Sequence, residues 1–253
     1  MNAPTAAPPR GYVAVRARHG GAIVKETESR GVAEILERGS LYAHAAAHPD
    51  SSLYRGRLPA FGIPLPYTST RVVVRHATHG GMLAWMTGDR FIGVGRAAHE
   101  LEVAHALREV NVPTPELVGY ALYPAGPFFN RIDVVTSEVA RARDLASVLA
   151  QPPDDPRPAL EATARLIAAL AKAGAHHADL NLKNVLIVRA SSGVTASVLD
   201  VDRVTFGLSG DAALTRNLAR FQRSARKWRA KGALTVSERD LYWLADRSRE
   251  LAA

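Results

Sequence analysis

The stretch HADLNLKN, residues 177–184, decides how the rest of the chain reads. It places His177, Asp179 and Asn184 in the spacing H-x-D-x-x-x-x-N, after a helical pattern and before the apolar run Val185–Val188. A carboxylate in such a loop can sit beside an attacking oxygen and take its proton, while an amide oxygen a few residues on suits a hard cation. Further along, SVLDV (Ser197–Val201) reads as a second short strand, with a turn at Ser191-Ser192-Gly193 between the two. It ends on Asp200, with Asp202 close behind. A polar turn after a strand would account for Asp200 taken alone. The two close carboxylates together with Asn184 make a credible site for one or two magnesium ions.

This order, an H-x-D loop and then an Asp beyond a hairpin, is the one that protein-kinase-like phosphotransferases use. Asp202 stands where their Asp-Phe-Gly motif carries Gly. Kinases also hold the nucleotide phosphates with a strand Lys braced by a helix Glu. Here the strand is Thr70–His76 (TRVVVRH), and it contains Arg75 but no Lys. Glu100, in the helix that follows, is the expected partner. Glu102 is the competitor, but positions two apart do not share a helix face. Tyr54-Arg55-Gly56-Arg57 is a weak candidate for a loop over phosphates, because no G-x-G-x-x-G is present. Its glycine and the neighbouring prolines are equally readable as turns.

Working outward, residues 1–10 are small and Pro-rich and read as a loose tail. Tyr12–Glu26 predicts two strands around His19-Gly20-Gly21, and residues 27–47 predict a helix. Leu53–Tyr67 carries Gly and Pro turn signals, and Gly80-Gly81 closes the strand region. Gly95–Val110 predicts a helix that stops before Pro113. Strands are expected over 117–122 and 131–139, a short helix over 143–150, a connector over 152–158 and a helix over Ala159–Gly174. The last fifty residues read as helical, with a break near Lys231–Leu234. The expected class is α+β: a protein-kinase-like two-lobe fold with a β-rich N-terminal lobe (1–137, tail 1–10), a hinge (138–142) and a reduced, mainly helical C-terminal lobe (143–253). A cleft between two lobes is a common position for a ligand.

Composition narrows the chemistry. The 253 residues include no Cys, which removes disulfides, a thiol nucleophile and Cys-bound zinc. Lys+Arg is 32 against Asp+Glu 24, a net charge of +8, and only Lys25, Lys172, Lys183, Lys227 and Lys231 are lysines. An Arg-rich surface suits phosphates and other planar anions. The longest stretch without a charged side chain lies between Glu116 and Arg131 and is interrupted by prolines, so no membrane-spanning helix and no secretory signal are expected.

With these residues together, the chain resembles the lipopolysaccharide kinase (Kdo/WaaP) family. The matching pieces include VVVRHATHGGMLAWMTGDR (Val72–Arg90), GRAAHELEVAHALREVNVPTPELVGYAL (Gly95–Leu122), VVTSEVARARDLASVL (Val134–Leu149), AGAHHADLNLKNVLI (Ala173–Ile187), VLDVDR (Val198–Arg203) and RNLARFQRSARKW (Arg216–Trp228). The Arg-His…Gly-Gly segment and the Asn-Leu-Ala-Arg helix are more specific than the loop itself. The family also carries Arg where protein kinases carry Lys. The resemblance implies an ATP- and magnesium-dependent phosphotransferase acting on a sugar hydroxyl, that of Kdo, in the lipopolysaccharide inner core. It implies Asp179 as catalytic base, Asn184 and Asp200 as metal ligands, and Arg75 with Glu100 as phosphate-orienting residues. Glu138 and Val139 would meet adenine through backbone groups at the hinge. It also implies a cytoplasmic location, peripheral on the inner membrane, with a lipopolysaccharide inner-core or lipid A precursor as partner.

Ala213–Lys231 is strongly basic, with Arg216, Arg220, Arg223, Arg226, Lys227, Arg229 and Lys231 around an apolar stripe of Leu214, Leu218, Phe221, Ala225 and Trp228. An ordinary lobe helix with a solvated face explains it. An anionic membrane surface met by outward arginines is compatible with the same pattern. Lys183 is expected to face water. His44, His48, His79, His99, His105 and His176 lack metal-ligand spacing. Two rivals stay open: a small-molecule or antibiotic kinase of the same fold, and a kinase-like membrane-associated binding protein. Nucleic acid is disfavoured, since the basic residues are not interleaved with exposed aromatics.

Overall fold

The computed structural model describes residues 8–56, 58–77, 91–92, 95–126, 129–150 and 155–253. The chain divides into two compact units, residues 1–102 with 116–138, and residues 103–115 with 139–253.

The first unit is built on an antiparallel sheet. Strands β1 (Tyr12–Ala17) and β2 (Gly20–Lys25) form a hairpin, with Ala17 opposite Gly20 across a two-residue turn. Then come β3 (Ser52–Tyr54), β4 (Ala60–Pro64), β5 (Arg71–His76), β6 (Phe91–Ile92), β7 (Leu117–Pro124) and β8 (Phe129–Ser137). The strand order is β1-β2-β7-β8-β5-β4-β3, with β6 on β8. On β5 the pleat buries Val72 and Val74, which face one side together because a strand repeats every two residues. Helices α1 (Ser29–Arg38) and α2 (Leu41–Ala47) cover that core with Val32, Ile35, Leu36, Leu41 and Ala45. Each such fully buried Ile or Leu contributes roughly 1.5–3 kcal/mol. Gly119 sits at the β7 bulge where β2 passes closest, and a Cβ there would lie 2.3 Å from the Ile23 carbonyl oxygen.

Two expectations change here. The helix predicted over 27–47 is two helices, because Ser40 turns out of the helical path and its side chain accepts the Ala43 N–H (3.1 Å), capping α2. The Gly- and Pro-marked stretch after Leu53 is not only turns. It supplies β3 and β4, with Ala60 of β4 opposite Arg75. Gly80-Gly81 and part of the connector at 152–158 lie outside the described residues.

Helix α3 (Gly95–Glu109) belongs to the first unit up to Glu102 and to the second beyond it. The rest of the second unit comprises β9 (Arg143–Asp144), α4 (Leu145–Ala150), α5 (Arg157–Lys172), β10 (His176–His177), β11 (Val185–Ala190), β12 (Gly193–Val198), β13 (Val204–Thr205), α6 (Gly210–Arg229) and α7 (Glu238–Ala252). Short 3₁₀ turns stand at Leu182–Asn184 and Val201–Arg203. Helix α5 is the centre, burying Leu160, Leu166, Ile167 and Leu170 against α6, α7 and β12. It stops at Gly174, whose φ of 60° is left-handed and whose Cβ would stand 2.5 Å from the Leu208 carbonyl oxygen. Strands β9, β11 and β12 form one small sheet, and β10 pairs with β13. No helix among the described residues is long and apolar enough to cross a membrane.

Candidate active site

The 177–184 loop leaves α5 through β10 and is held by backbone and side chains together. The His177 side chain is completely buried. Its Nδ1 accepts the Asp179 N–H (3.1 Å), and its Nε2 lies 2.8 Å from the Leu199 carbonyl oxygen. An amide N–H can only donate, so Nδ1 is unprotonated and Nε2 carries the proton. Burial pushes the His177 pKa below the usual imidazole value, keeping the ring neutral in this role. His177 thus ties the residue before Asp200 to the backbone of Asp179.

The far end of the loop is fixed equally tightly. The Asn181 Oδ1 accepts the N–H groups of Lys183 (2.9 Å) and Asn184 (3.3 Å), capping the 3₁₀ turn. The Asp179 carbonyl receives both the Asn181 Nδ2 (3.0 Å) and the Asn184 Nδ2 (2.9 Å). The Leu199 N–H donates to the Asn184 carbonyl oxygen (2.9 Å). Asp179, Asn184 and Asp200 therefore belong to one hydrogen-bonded web within the second unit.

The free atoms of that web are of the kind a hard cation takes. Asn184 commits its NH₂ to Asp179, which leaves its Oδ1 as the remaining acceptor. Asp200 is exposed and adopts the left-handed region (φ 56°, ψ 46°) at the end of the strand region. Among the described residues its carboxylate has no hydrogen-bond partner. A neutral amide oxygen and a carboxylate oxygen on neighbouring backbone suit magnesium, which takes few protein ligands and keeps waters and phosphate oxygens. Asp202 is mostly buried in the next turn, with Arg203 Nε 3.8 Å away.

Two residues of this site lie on α6, which the sequence reads as an ordinary lobe helix with a solvated basic face, compatible with an anionic membrane surface. Asn217 is fully buried; its Oδ1 accepts the His177 N–H (3.0 Å) and its Nδ2 donates to the Ala175 carbonyl oxygen (2.8 Å). Arg220 is ion-paired through Nη2 to Oδ1 of Asp179. Arg226 and Arg229 of this helix are both engaged by Glu238 of α7, and Arg226 is exposed. The apolar stripe does pack inward, with Leu214, Leu218, Phe221 and Ala225 buried. The Asn-Leu-Ala-Arg signature was visible in the sequence. Its task was not, because contact with the loop depends on how α6 lies over β10.

In the first unit, Arg75 of β5 is ion-paired through Nη2 to Oε1 of Glu100 on α3, a carboxylate that is almost fully buried. Glu138 has a second task that its sequence position did not suggest. Its Oε2 accepts Arg71 Nε (2.7 Å) and its Oε1 accepts the Tyr54 hydroxyl (2.5 Å). Its backbone N–H is already spent on the Arg71 carbonyl oxygen (2.9 Å), and the Val139 carbonyl accepts the Ala142 N–H (3.2 Å). The Glu138 carbonyl and the Val139 N–H make no hydrogen bond among the described residues. Tyr54 therefore braces Glu138, and Arg57 lies outside the described residues.

An antiparallel sheet followed by a mainly helical unit, with an H-x-D loop ahead of a metal-type Asp, defines the protein-kinase-like phosphotransferase class. A solved structure titled "WaaP in complex with acyl carrier protein" shares the fold, with a TM-score of 0.51 at 18% identity over 92% of this chain and 99% of that one. Within the class, the chain belongs to the lipopolysaccharide kinase (Kdo/WaaP) family, which residues 65–245 match. A 3-deoxy-D-manno-octulosonic acid kinase of Stenotrophomonas maltophilia (strain K279a) is 31% identical over 195 residues, 73% of each chain. The enzyme of the same name from Vibrio vulnificus (strain CMCP6) is 28% identical over 195 residues, 75% of this chain and 78% of that one.

Proposed function

We propose that this protein is an ATP-dependent sugar kinase of lipopolysaccharide inner-core assembly, transferring a phosphoryl group to a hydroxyl of 3-deoxy-D-manno-octulosonic acid. The observation that carries the reading is the His177-braced loop, which presents a half-exposed Asp179 carboxylate in one web with Asn184 and Asp200. Family membership supplies the substrate class.

In this reading Asp179 accepts the proton of the acceptor hydroxyl as its oxygen forms the new bond to phosphorus, and ADP leaves with the electrons of the broken P–O bond. Asn184 and Asp200 would hold magnesium, which would supply charge neutralisation on the phosphate oxygens. Arg75, steadied by Glu100, orients the phosphates as a permanent cation with a forked donor set. The Glu138 carbonyl and the Val139 N–H are the backbone pair offered to an adenine edge. Most of the rate comes from positioning and charge neutralisation. The site works beside the anionic leaflet that carries its acceptor, and the surplus of Arg supports that placement.

Asp179→Ala tests the assignment. Transfer to the acid sugar falls at least about a hundredfold, while ATP affinity by calorimetry stays within twofold of the parent. Near-normal turnover in that variant removes Asp179 as the base.

A further inference from the structure

The second unit has a cavity of about 650 Å³ directly beside the 177–184 loop. Lys183 of that loop forms one side. Arg220, Arg223, Lys227 and Trp228 of α6 form the other, and Lys231 follows just past the helix end. Steps of three and four along a helix bring side chains to one face, so residues 220, 223 and 227 line up here. Among the described residues, no Asp or Glu lines the cavity.

The cations are distributed unevenly. On the same helix Arg226 and Arg229 are neutralised by Glu238. Lys183, Arg223, Lys227 and Lys231 have no carboxylate partner among the described residues, and all of them border the cavity. The Lys183 ammonium lies 5.5 Å from the centre of the Trp228 ring, which also lines the cavity. Like charges gathered around one cavity repel one another, and an anion relieves that repulsion. A volume within the range of about 300–1,000 Å³ suits a discrete solute rather than a flat lipid surface. Arg220 links the cavity to the chemistry, because it borders the space while its Nη2 is on Asp179.

We propose that this cavity is the anion subsite of the acceptor, taking the carboxylate of an acid sugar or a phosphate carried beside it. Arg223 and Lys227 are its specificity-determining residues. Arg220 is a positioning residue shared between the bound anion and Asp179, so that an anion seated here brings a neighbouring hydroxyl to the carboxylate. A neutral acceptor leaves these cations unpaired and is rejected. The inference rests on the kinase reading above.

The test uses the full chain at saturating ATP with three acceptors: the methyl glycoside of 3-deoxy-D-manno-octulosonic acid, its carboxamide, and the same glycoside carried on a phosphorylated disaccharide. The double variant Arg223→Gln/Lys227→Gln changes exposed side chains, and equal melting temperatures show that it folds. The expected result is a KM for the acid glycoside raised at least tenfold in the variant, with the KM for ATP unchanged. The wild type also discriminates against the carboxamide, and the variant does not. Discrimination by the wild type on the phosphorylated acceptor alone, lost in the variant, assigns the cavity to phosphate and supports the subsite. Acceptor KM values within twofold of wild type overturn it. A loss seen only with acceptor embedded in anionic vesicles also overturns it, in favour of a membrane contact. Absence of transfer by the wild type to every acceptor removes the kinase reading itself, and the subsite with it.

Discussion

His177 braces the 177–184 loop, and that bracing depends on its protonation state. Its Nδ1 must accept and its Nε2 must donate, so a second proton breaks the bond to the Asp179 N–H. Above the ordinary imidazole value of 6.5 the unfolded chain also keeps this ring neutral, and burial carries no protonation penalty. Below 6.5 the unfolded chain takes up a proton that the folded loop resists, so stability falls until the pH reaches the depressed folded value. Melting temperature should therefore drop between pH 7.5 and 5.5, and His177→Asn should flatten that slope relative to wild type. An unchanged slope would show that the ring is not held neutral. At the same scale, the sequence pattern brought His177, Asp179 and Asn184 together because they lie within one loop, and the structure joins them by hydrogen bonds. It could not expose Arg220 as the partner of Asp179, since that pairing joins residues far apart in the chain.

Among the elements, α2 shows how a short helix is held by the sheet beneath it. Asp133 of β8 is fully buried; its Oδ2 accepts the Tyr42 N–H (2.9 Å) and its Oδ1 lies 2.7 Å from His76 Nδ1. The Tyr123 hydroxyl accepts the Leu41 N–H (2.8 Å). These contacts satisfy the first amides of α2, which a helix start leaves without partners. Asp133→Ala should cost about 2–4 kcal/mol, because buried donors lose their acceptor. Chemical denaturation measures this, and Asp133→Asn, which keeps an acceptor oxygen, should recover part of the loss. Strands β3 and β4 were hidden in a stretch whose Gly and Pro residues read as turns. Pro64 is tolerated there because it ends a strand near the sheet edge, where a missing N–H costs little. The break between α1 and α2 was equally local, yet the apolar periodicity ran straight through Ser40.

For the whole molecule the decisive quantity is the net charge of +8, carried mostly by arginine. Cosedimentation with anionic vesicles should be strong at low salt, fall steeply as salt rises, and be absent with neutral vesicles. Equal sedimentation with both vesicle types would remove the membrane placement. The chain's own letters determined the α+β kinase-like class and the family, because hydrophobic periodicity, H-x-D-x-x-x-x-N and the Asn-Leu-Ala-Arg signature are all short-range patterns. Only the tertiary structure decided which basic residues of α6 meet Asp179, which meet Glu238 and which, among the described residues, have no carboxylate partner and border a cavity. Helical spacing tells which side chains share a face, but the partner each face meets is set by packing between elements distant in sequence.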